Sequence, residues 1–273
     1  MPHLKLGTGP SRFWRLFVIA AGLSVQPALA QQASFVDNFD TLDTSLWKAS
    51  DGWANGAYQN CEWKSSEVEV IDGMLNVGFS PEATETRDYR CGEVRTQETL
   101  GYGTLEARIK TPAGSGLNAA FFTYIGPENQ KPHDEIDFEI LLKDTGVMQT
   151  TTFVSGKSGD GTPGNGNGEH HVLPVKSDAG FIDYAVTWTP EKITFYLNKQ
   201  PIRTITEAGE IPTTPQRLFF SLWGTEELSD WMGPFKAPTE PIAMQVDWVA
   251  YTAEGEECQF PESVLCAEQA SLN

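Results

Sequence analysis

The chain has 273 residues and carries 37 acidic against 19 basic side chains, a formal net charge of −18. An anionic surface of that size repels phosphate backbones, which argues against general nucleic-acid binding. With 40% hydrophobic, 11% aromatic and 21% charged residues, the chain is globular rather than disordered and long enough for one large β domain or two small ones.

Residues 1–30 read as an export signal. Lys5, Arg12 and Arg15 precede an apolar run from Leu16 to Val25, and Ala28-Leu29-Ala30 supplies a small-residue cleavage site. Ten apolar residues are too few to span a bilayer of about 30 Å. No later stretch approaches membrane length, so the expectation is a secreted, soluble protein with no membrane partner once the leader is removed.

The remainder reads as β. Val68 and Val70, then Leu75, Val77 and Phe79, flank Asp72-Gly73, a hairpin signal. Leu105, Ala107 and Ile109 alternate with Glu106, Arg108 and Lys110, predicting a strand with one wet face. In Phe121-Phe122-Thr123-Tyr124, alternation puts Phe122 and Tyr124 on one face and Phe121 on the other. Ser155 to Gly168 carries six glycines and is expected as a mobile surface loop at a cleft rim. Its Gly156-Lys157-Ser158 fails as a phosphate loop for want of the earlier glycine and a following helix. The vicinal His170 and His171 are expected to be solvated. Strands follow at Asp183–Trp188, at Ile193, Phe195 and Leu197 with a return through Ile202–Ile205, at Leu218–Trp223 and at Met244–Thr252. Without a helical stripe between them, these strands predict a sandwich or closed barrel.

Cys61, Cys91, Cys258 and Cys266 suit an oxidising compartment and allow three pairings. Cys61–Cys91 with a local Cys258–Cys266 loop is the simplest. A zinc site is a weak rival, since no C-x-x-C occurs.

The chemistry concentrates in His133-Asp-Glu135-Ile-Asp137-Phe-Glu139-Ile-Leu141. On a strand, Glu135, Asp137 and Glu139 share one face while Ile136, Phe138 and Ile140 face a core. Three repelling acids have no structural purpose unless they bind a cation or do chemistry. Glycoside hydrolysis needs such a pair, one carboxylate as nucleophile or base and one carboxyl to protonate the leaving oxygen. Asp137 would hydrogen-bond Glu135 and help keep one of the three protonated. Trp53, Tyr58, Phe122, Tyr124, Trp223 and Trp231 offer flat rings for sugars, although many aromatics in a sandwich belong to the core.

Glu135-Ile-Asp137-Phe-Glu139 resembles the signature of the glycoside hydrolase family 16 endo-β-glucanases. The flanks agree: Asp51-Gly-Trp-Ala-Asn55-Gly56, Asn60-Cys61-Glu-Trp63, Cys91-Gly-Glu93-Val-Arg95, Gly101-Tyr-Gly103, Phe121–Tyr124 and Ser229-Asp-Trp231-Met-Gly233. The resemblance covers about Phe35 to Thr252 and implies an all-β, concanavalin A-like curved jelly-roll sandwich with a concave glycan cleft. It implies Glu135 as nucleophile, Asp137 as its electrostatic partner and Glu139 as acid/base, with no catalytic cofactor. Asn55, Glu93, Arg95, Phe122, Tyr124, Trp223 and Trp231 match substrate-contacting positions; Trp53 and His133 complete the expected set, His133 standing where lichenases of bacilli carry tryptophan. On this reading residues 31–255 form the catalytic domain and 256–273 a tail closed by Cys258–Cys266.

Within the family, Gly116–Gly126, Lys131–Glu139, Phe219–Gly224 and the tail Glu257–Cys266 resemble secreted rhizobial endo-β-glycanases that shorten succinoglycan. Gln149–Phe153 and Gly224 depart from lichenases. The resemblance implies a retaining endo-β-glycanase acting on a polysaccharide as a monomer; a transglycosylase using the same site and a glycan-binding lectin are the alternatives. Many lichenases also hold a structural calcium, for which Asp247 matches the carboxylate ligand and Asn38 and Gly73 the carbonyl ligands.

Overall fold

The computed structural model describes residues 33–159 and 166–266; the expected export signal, the middle of the glycine-rich segment and residues 267–273 lie outside them. The strands are β1 (Phe35–Asp37), β2 (Trp47–Ala49), β3 (Cys61–Trp63), β4 (Val68–Ile71), β5 (Met74–Ser80), β6 (Tyr89–Thr96), β7 (Gly103–Lys110) and β8 (Leu117–Ile125). They continue as β9 (Asp134–Leu141), β10 (Val147–Phe153), β11 (Glu169–Val172), β12 (Ile182–Trp188), β13 (Ile193–Leu197), β14 (Gln200–Ile205), β15 (Arg217–Gly224) and β16 (Ile242–Ala253). A single helical turn, α1 (Ser229–Met232), precedes the last strand.

Hydrogen bonding runs β11-β10-β9-β8-β15-β6-β5-β16-β7-β12-β13-β14, a large sheet that curves toward closure as a jelly roll. Its first six strands form the front layer and the last six the back, with β6 and β5 paired at the join. Period-two patterning fills the space between. Phe121, Phe138 and Phe220 stack at 5.6 and 5.3 Å within the front layer, and Phe138 meets Tyr184 and Phe195 of the back layer edge-on at 5.6 and 5.2 Å. Ile136, Phe138 and Ile140 are buried there, so Glu135, Asp137 and Glu139 must face outward from β9.

The Asp72-Gly73 turn joins β4 to β5 with positive φ at both residues (53° and 73°), the mirror-image turn whose twist suits a hairpin. Asn198 and Lys199, also at positive φ, turn β13 into β14, where Pro201 lies on an edge strand and breaks no interior ladder.

Cys61 pairs with Cys91 across the parallel β3–β6 contact, and Cys258 with Cys266. The first bridge closes 30 residues, which stabilises the fold by about 3–4 kcal/mol on the chain-entropy account.

Two expectations need correction. The outer face of β7 is not wholly wet: Glu106 is buried because the tail packs over it, with Ser263 Oγ and Val264 N (2.9 Å) donating to its carboxylate. Val264 packs with Ala185 and Tyr196, and Phe260 lies edge-on to Trp248 at 5.0 Å. His171 is not a solvated loop residue either. It sits in β11 with its side chain only 8% exposed, its Nε2 2.9 Å from Thr150 Oγ1. Among the described residues no helix is long and apolar enough to cross a membrane.

Candidate active site

Register alone lays out the front face as a grid. Glu139 on β9 stands opposite Ala120 on β8 and Gln149 on β10; Ala120 faces Ser221 on β15, which faces Glu93 on β6. The next row runs Thr151, Asp137, Phe122, Phe219, Arg95, and the third Phe153, Glu135, Tyr124, Arg217. Every one of these side chains has the parity that points away from the core. Those on β9, β8, β15 and β6 line a cleft of about 660 Å³ together with Trp53, Asn55, Tyr58 and Trp223.

Each member of the acidic trio has its own surroundings. His133 Nε2 lies 2.6 Å from Glu135 Oε2, and its ring stacks on Phe153 at 5.3 Å and meets Tyr124 edge-on at 5.2 Å. The hydrogen bond to Glu135 holds His133 above its ordinary value, against the lowering effect of burial. Asp137 is buried, 3% exposed, and is held well above the usual carboxylate range by burial and then by the charges of Glu135 and Glu139; it is the proton donor in its bond to Glu135. Glu139 is pushed up to about 8, by burial first and by the Glu135 charge second, against a lowering hydrogen bond from Asn118. Asn118 Nδ2 donates to Glu139 Oε1 at 3.2 Å and Gln149 Nε2 to Oε2 at 3.4 Å. The cleft floor therefore presents Glu135, held by His133, and, two positions along the same strand face, a carboxyl that keeps its proton near neutral pH. That combination can supply an electron pair and a proton to opposite ends of one bond.

The rings are arranged for flat ligands. Phe122 and Phe219 stack at 4.9 Å, and Trp223 lies 5.9 Å from Tyr58 and 6.4 Å from Trp231. Trp231 Nε1 donates to Gln149 Oε1 (3.2 Å), linking that ring to the side chain beside Glu139. Asn55 receives Trp63 Nε1 at 3.5 Å and sits over a segment fastened by the Cys61–Cys91 bridge. Glu93 is buried and raised to about 7 mainly by that burial, with Ser50 Oγ donating to it at 2.6 Å. Of the residues expected at the site, all but Trp231 line the cleft itself, and Trp231 reaches it through Gln149, which in turn donates to Glu139.

Sequence reasoning missed Asn118, Arg217 and Phe219, and noticed Gln149 only as a departure from lichenases. Parity gave only their facing: Phe219 and Ser221 match Trp223 on the predicted strand Leu218–Trp223, and Arg217, one residue before it, continues the pattern, but which strands would flank it was not readable. The start of the glycine-rich segment borders the site, since Gly156 N donates to His133 O (2.7 Å) and Ser155 N to Asp134 Oδ1 (2.9 Å).

The three residues matched to calcium ligands stand elsewhere, at the end of β1, in the β4–β5 turn and in β16. Asp247 Oδ2 is 3.2 Å from Arg108 Nε, and Arg108 Nη1 also holds Asp183 at 2.8 Å. A guanidinium thus pairs with one oxygen of the matched carboxylate. The matched set is one carboxylate and two backbone carbonyls, and no step below involves calcium.

Residues 55–250 match the family described as Glycosyl hydrolases family 16. The chain is 49% identical over 233 residues to the endo-1,3-1,4-beta-glycanase ExoK of Rhizobium meliloti (strain 1021), covering 85% of this chain and 84% of that protein. It is 34% identical to a beta-glucanase of Bacillus subtilis (strain 168), covering 92% and 99%. Among solved structures, the Bacillus licheniformis beta-glucanase superposes with a TM-score of 0.75 at 31% identity, covering 82% of this chain and all of that one.

Proposed function

Since the chain belongs to glycosyl hydrolase family 16 and is a glycoside hydrolase, we propose that it is a secreted, retaining endo-β-glycanase that cuts internal β-glucosidic bonds of the 1,3-1,4 type. The carrying observation is the contrast between two carboxyls on one strand face: Glu135 hydrogen-bonded to His133, and Glu139 buried and pushed up to about 8.

Glu139 protonates the glycosidic oxygen as Glu135 attacks the anomeric carbon, giving a covalent glycosyl-enzyme ester and releasing the distal half of the polymer. Glu139, now ionised, takes a proton from water, and the resulting attack frees Glu135 with the original anomeric configuration. Asp137 donates its hydrogen bond to Glu135, and His133 orients the same carboxylate from the other side. Asn118 and Gln149 hold Glu139. The rings of Phe122, Phe219, Tyr124, Trp53 and Trp223 give the glycan stacking surfaces across the strands. The basic, apolar, A-x-A leader supports secretion.

The relatives named endo-1,3-1,4-beta-glycanase and beta-glucanase support a β-glucan-type backbone, and the sequence resemblance adds the expectation of a bacterial exopolysaccharide such as succinoglycan beside a mixed-linkage β-glucan. On an acidic polymer the chain's own charge opposes long-range approach, but at 0.15 M salt the Debye length is about 8 Å, so the repulsion is largely screened. Product analysis on barley β-glucan, laminarin and succinoglycan side by side tests the reading. Internal cleavage is expected on at least one, and on succinoglycan it should speed up as salt rises from low to physiological levels. Failure to cut any of the three would overturn the proposal.

A further inference from the structure

Two guanidiniums stand on the cleft floor beyond the carboxylates: Arg95, which the resemblance matched to a substrate-contacting position without saying what it would contact, and Arg217, which nothing above assigns. Arg95 on β6 and Arg217 on β15 both line the cleft. Phe219 is the register partner of Arg95, and Arg217 lies two residues before it, so the two heads rise from neighbouring strands on the same face. Each is anchored from one side. Arg95 Nη1 donates to Thr96 O (3.0 Å), while Arg217 donates through Nε to Gln97 O (3.1 Å) and through Nη1 to Asn129 Oδ1 (2.8 Å).

Those bonds leave N–H donors over and go to neutral oxygens, and although the charges of Glu93 and Glu128 act on Arg95 from nearby, neither carboxylate forms an ion pair with it. Arg90, Arg108 and Arg203 each reach a carboxylate within ion-pair distance; among the described residues Arg95 and Arg217 do not. Burial, and then the charge of Arg217, push Arg95 downward, so the pair repels as it stands. Glu128 borders the same end and offsets part of that repulsion, but Tyr124 OH and Asn129 Nδ2 already donate to its two oxygens. Two half-buried cations held side by side on a chain of net charge −18 make a local exception to its field. The fork geometry of the guanidinium is the one that accepts a carboxylate through two bonds.

Position sets which part of a substrate they would meet. Neighbouring strands lie about 4.8 Å apart, close to the length of one pyranose unit, so Arg217 is roughly 10 Å and Arg95 roughly 14 Å from the strand that carries the trio. We propose that Arg95 and Arg217 form a subsite for a carboxylate-bearing group on the glycan, two or three sugar units from the bond that is cut. The proposal rests on the glycanase reading and adds the substrate feature that the cleft selects.

The test uses succinoglycan in three forms: intact, saponified to strip ester-linked acidic acyl groups, and carbodiimide–borohydride-reduced to turn its carboxyls into alcohols. Wild-type kcat/KM should fall at least about tenfold on the reduced polymer. An equal fall after saponification assigns the recognised carboxylate to an acyl group; a fall only after reduction assigns it to a ring or ketal acid. In Arg217→Gln the intact-to-reduced ratio should collapse to within about twofold of one, and Arg217→Lys, which keeps the charge but not the fork, should recover part of it. Equal wild-type rates on all three forms, or a ratio in a folded Arg217→Gln as large as in wild type, would overturn the subsite and leave the glycanase reading standing. Absence of cleavage on every form and on barley β-glucan would fail the glycanase reading instead. The wild-type comparison needs no variant and decides the matter if Arg217→Gln melts early.

Discussion

Glu135→Gln is expected to lose turnover by about 10⁴-fold or more while melting within a few degrees of wild type. The amide is nearly isosteric and still offers His133 an oxygen at the position now 2.6 Å from Nε2, so packing at the cleft floor is kept. What it lacks is the anionic electron pair that forms the ester. In Glu135→Ala the vacated volume admits azide, which should restore product as a glycosyl azide of inverted configuration, because the small anion attacks from the side the nucleophile used. Steady-state rates on the best of the three glucans, with azide titrated in, check both statements. Turnover by Glu135→Gln at the wild-type rate would remove Glu135 from its role.

Glu139→Gln should also abolish hydrolysis of unactivated glycans, yet make the protein more stable at pH 7. Burial and the neighbouring charge raise Glu139 from its ordinary 4.5 to about 8. A carboxyl raised in this way binds more protons folded than unfolded. The fold is therefore most favoured below about pH 4.5, and the benefit is lost as pH rises through the folded value near 8. At pH 7 the deficit relative to a neutral residue is at most about 3 kcal/mol, because the cleft leaves Glu139 some contact with solvent. Glu139→Gln should recover part of that and raise Tm by about 5 °C, with a flatter Tm profile between pH 5 and 8. In wild type the same proton is the one delivered to the leaving oxygen, so kcat/KM should fall as pH rises through about 8. A rate that stays level to pH 10, or a Tm profile identical in Glu139→Gln and wild type, would contradict the assignment.

Much of this architecture is local and could be read before any coordinates. The Asp72-Gly73 turn, the alternation in β7, β13 and β16 and the inward Ile136-Phe138-Ile140 stripe each follow from a two-residue period, and the period also places the three acids on one face. Disulfide pairing followed from chain proximity and compartment. The resemblance to family 16 then pointed to Asn55, Glu93 and Arg95, whose distance from the trio in sequence gives no hint that they share its cleft. What stayed hidden depends on which strands become neighbours. Arg217 and Phe219 belong to the site because β15 inserts between β8 and β6, a pairing across more than 90 residues that no local pattern encodes. Glu106 reads as a solvent residue by alternation and is buried only because the tail folds back over β7. The side chain of Asn118 looks like that of an ordinary polar strand residue until β8 pairs with β9, which brings its Nδ2 to Glu139 as a donor. Asp247 shows the reverse case, a carboxylate matched to a metal ligand by resemblance whose partner turns out to be Arg108.

The claim on which all of this rests is that the bond is broken by two displacements at one carbon, with Glu135 covalently attached between them. A proton NMR time course of β-glucan cleavage, recorded faster than mutarotation, observes the outcome directly. New reducing ends should appear first as the β-anomer and only later equilibrate. Initial appearance of the α-anomer would mean a single displacement by water and would contradict Glu135 as the nucleophile.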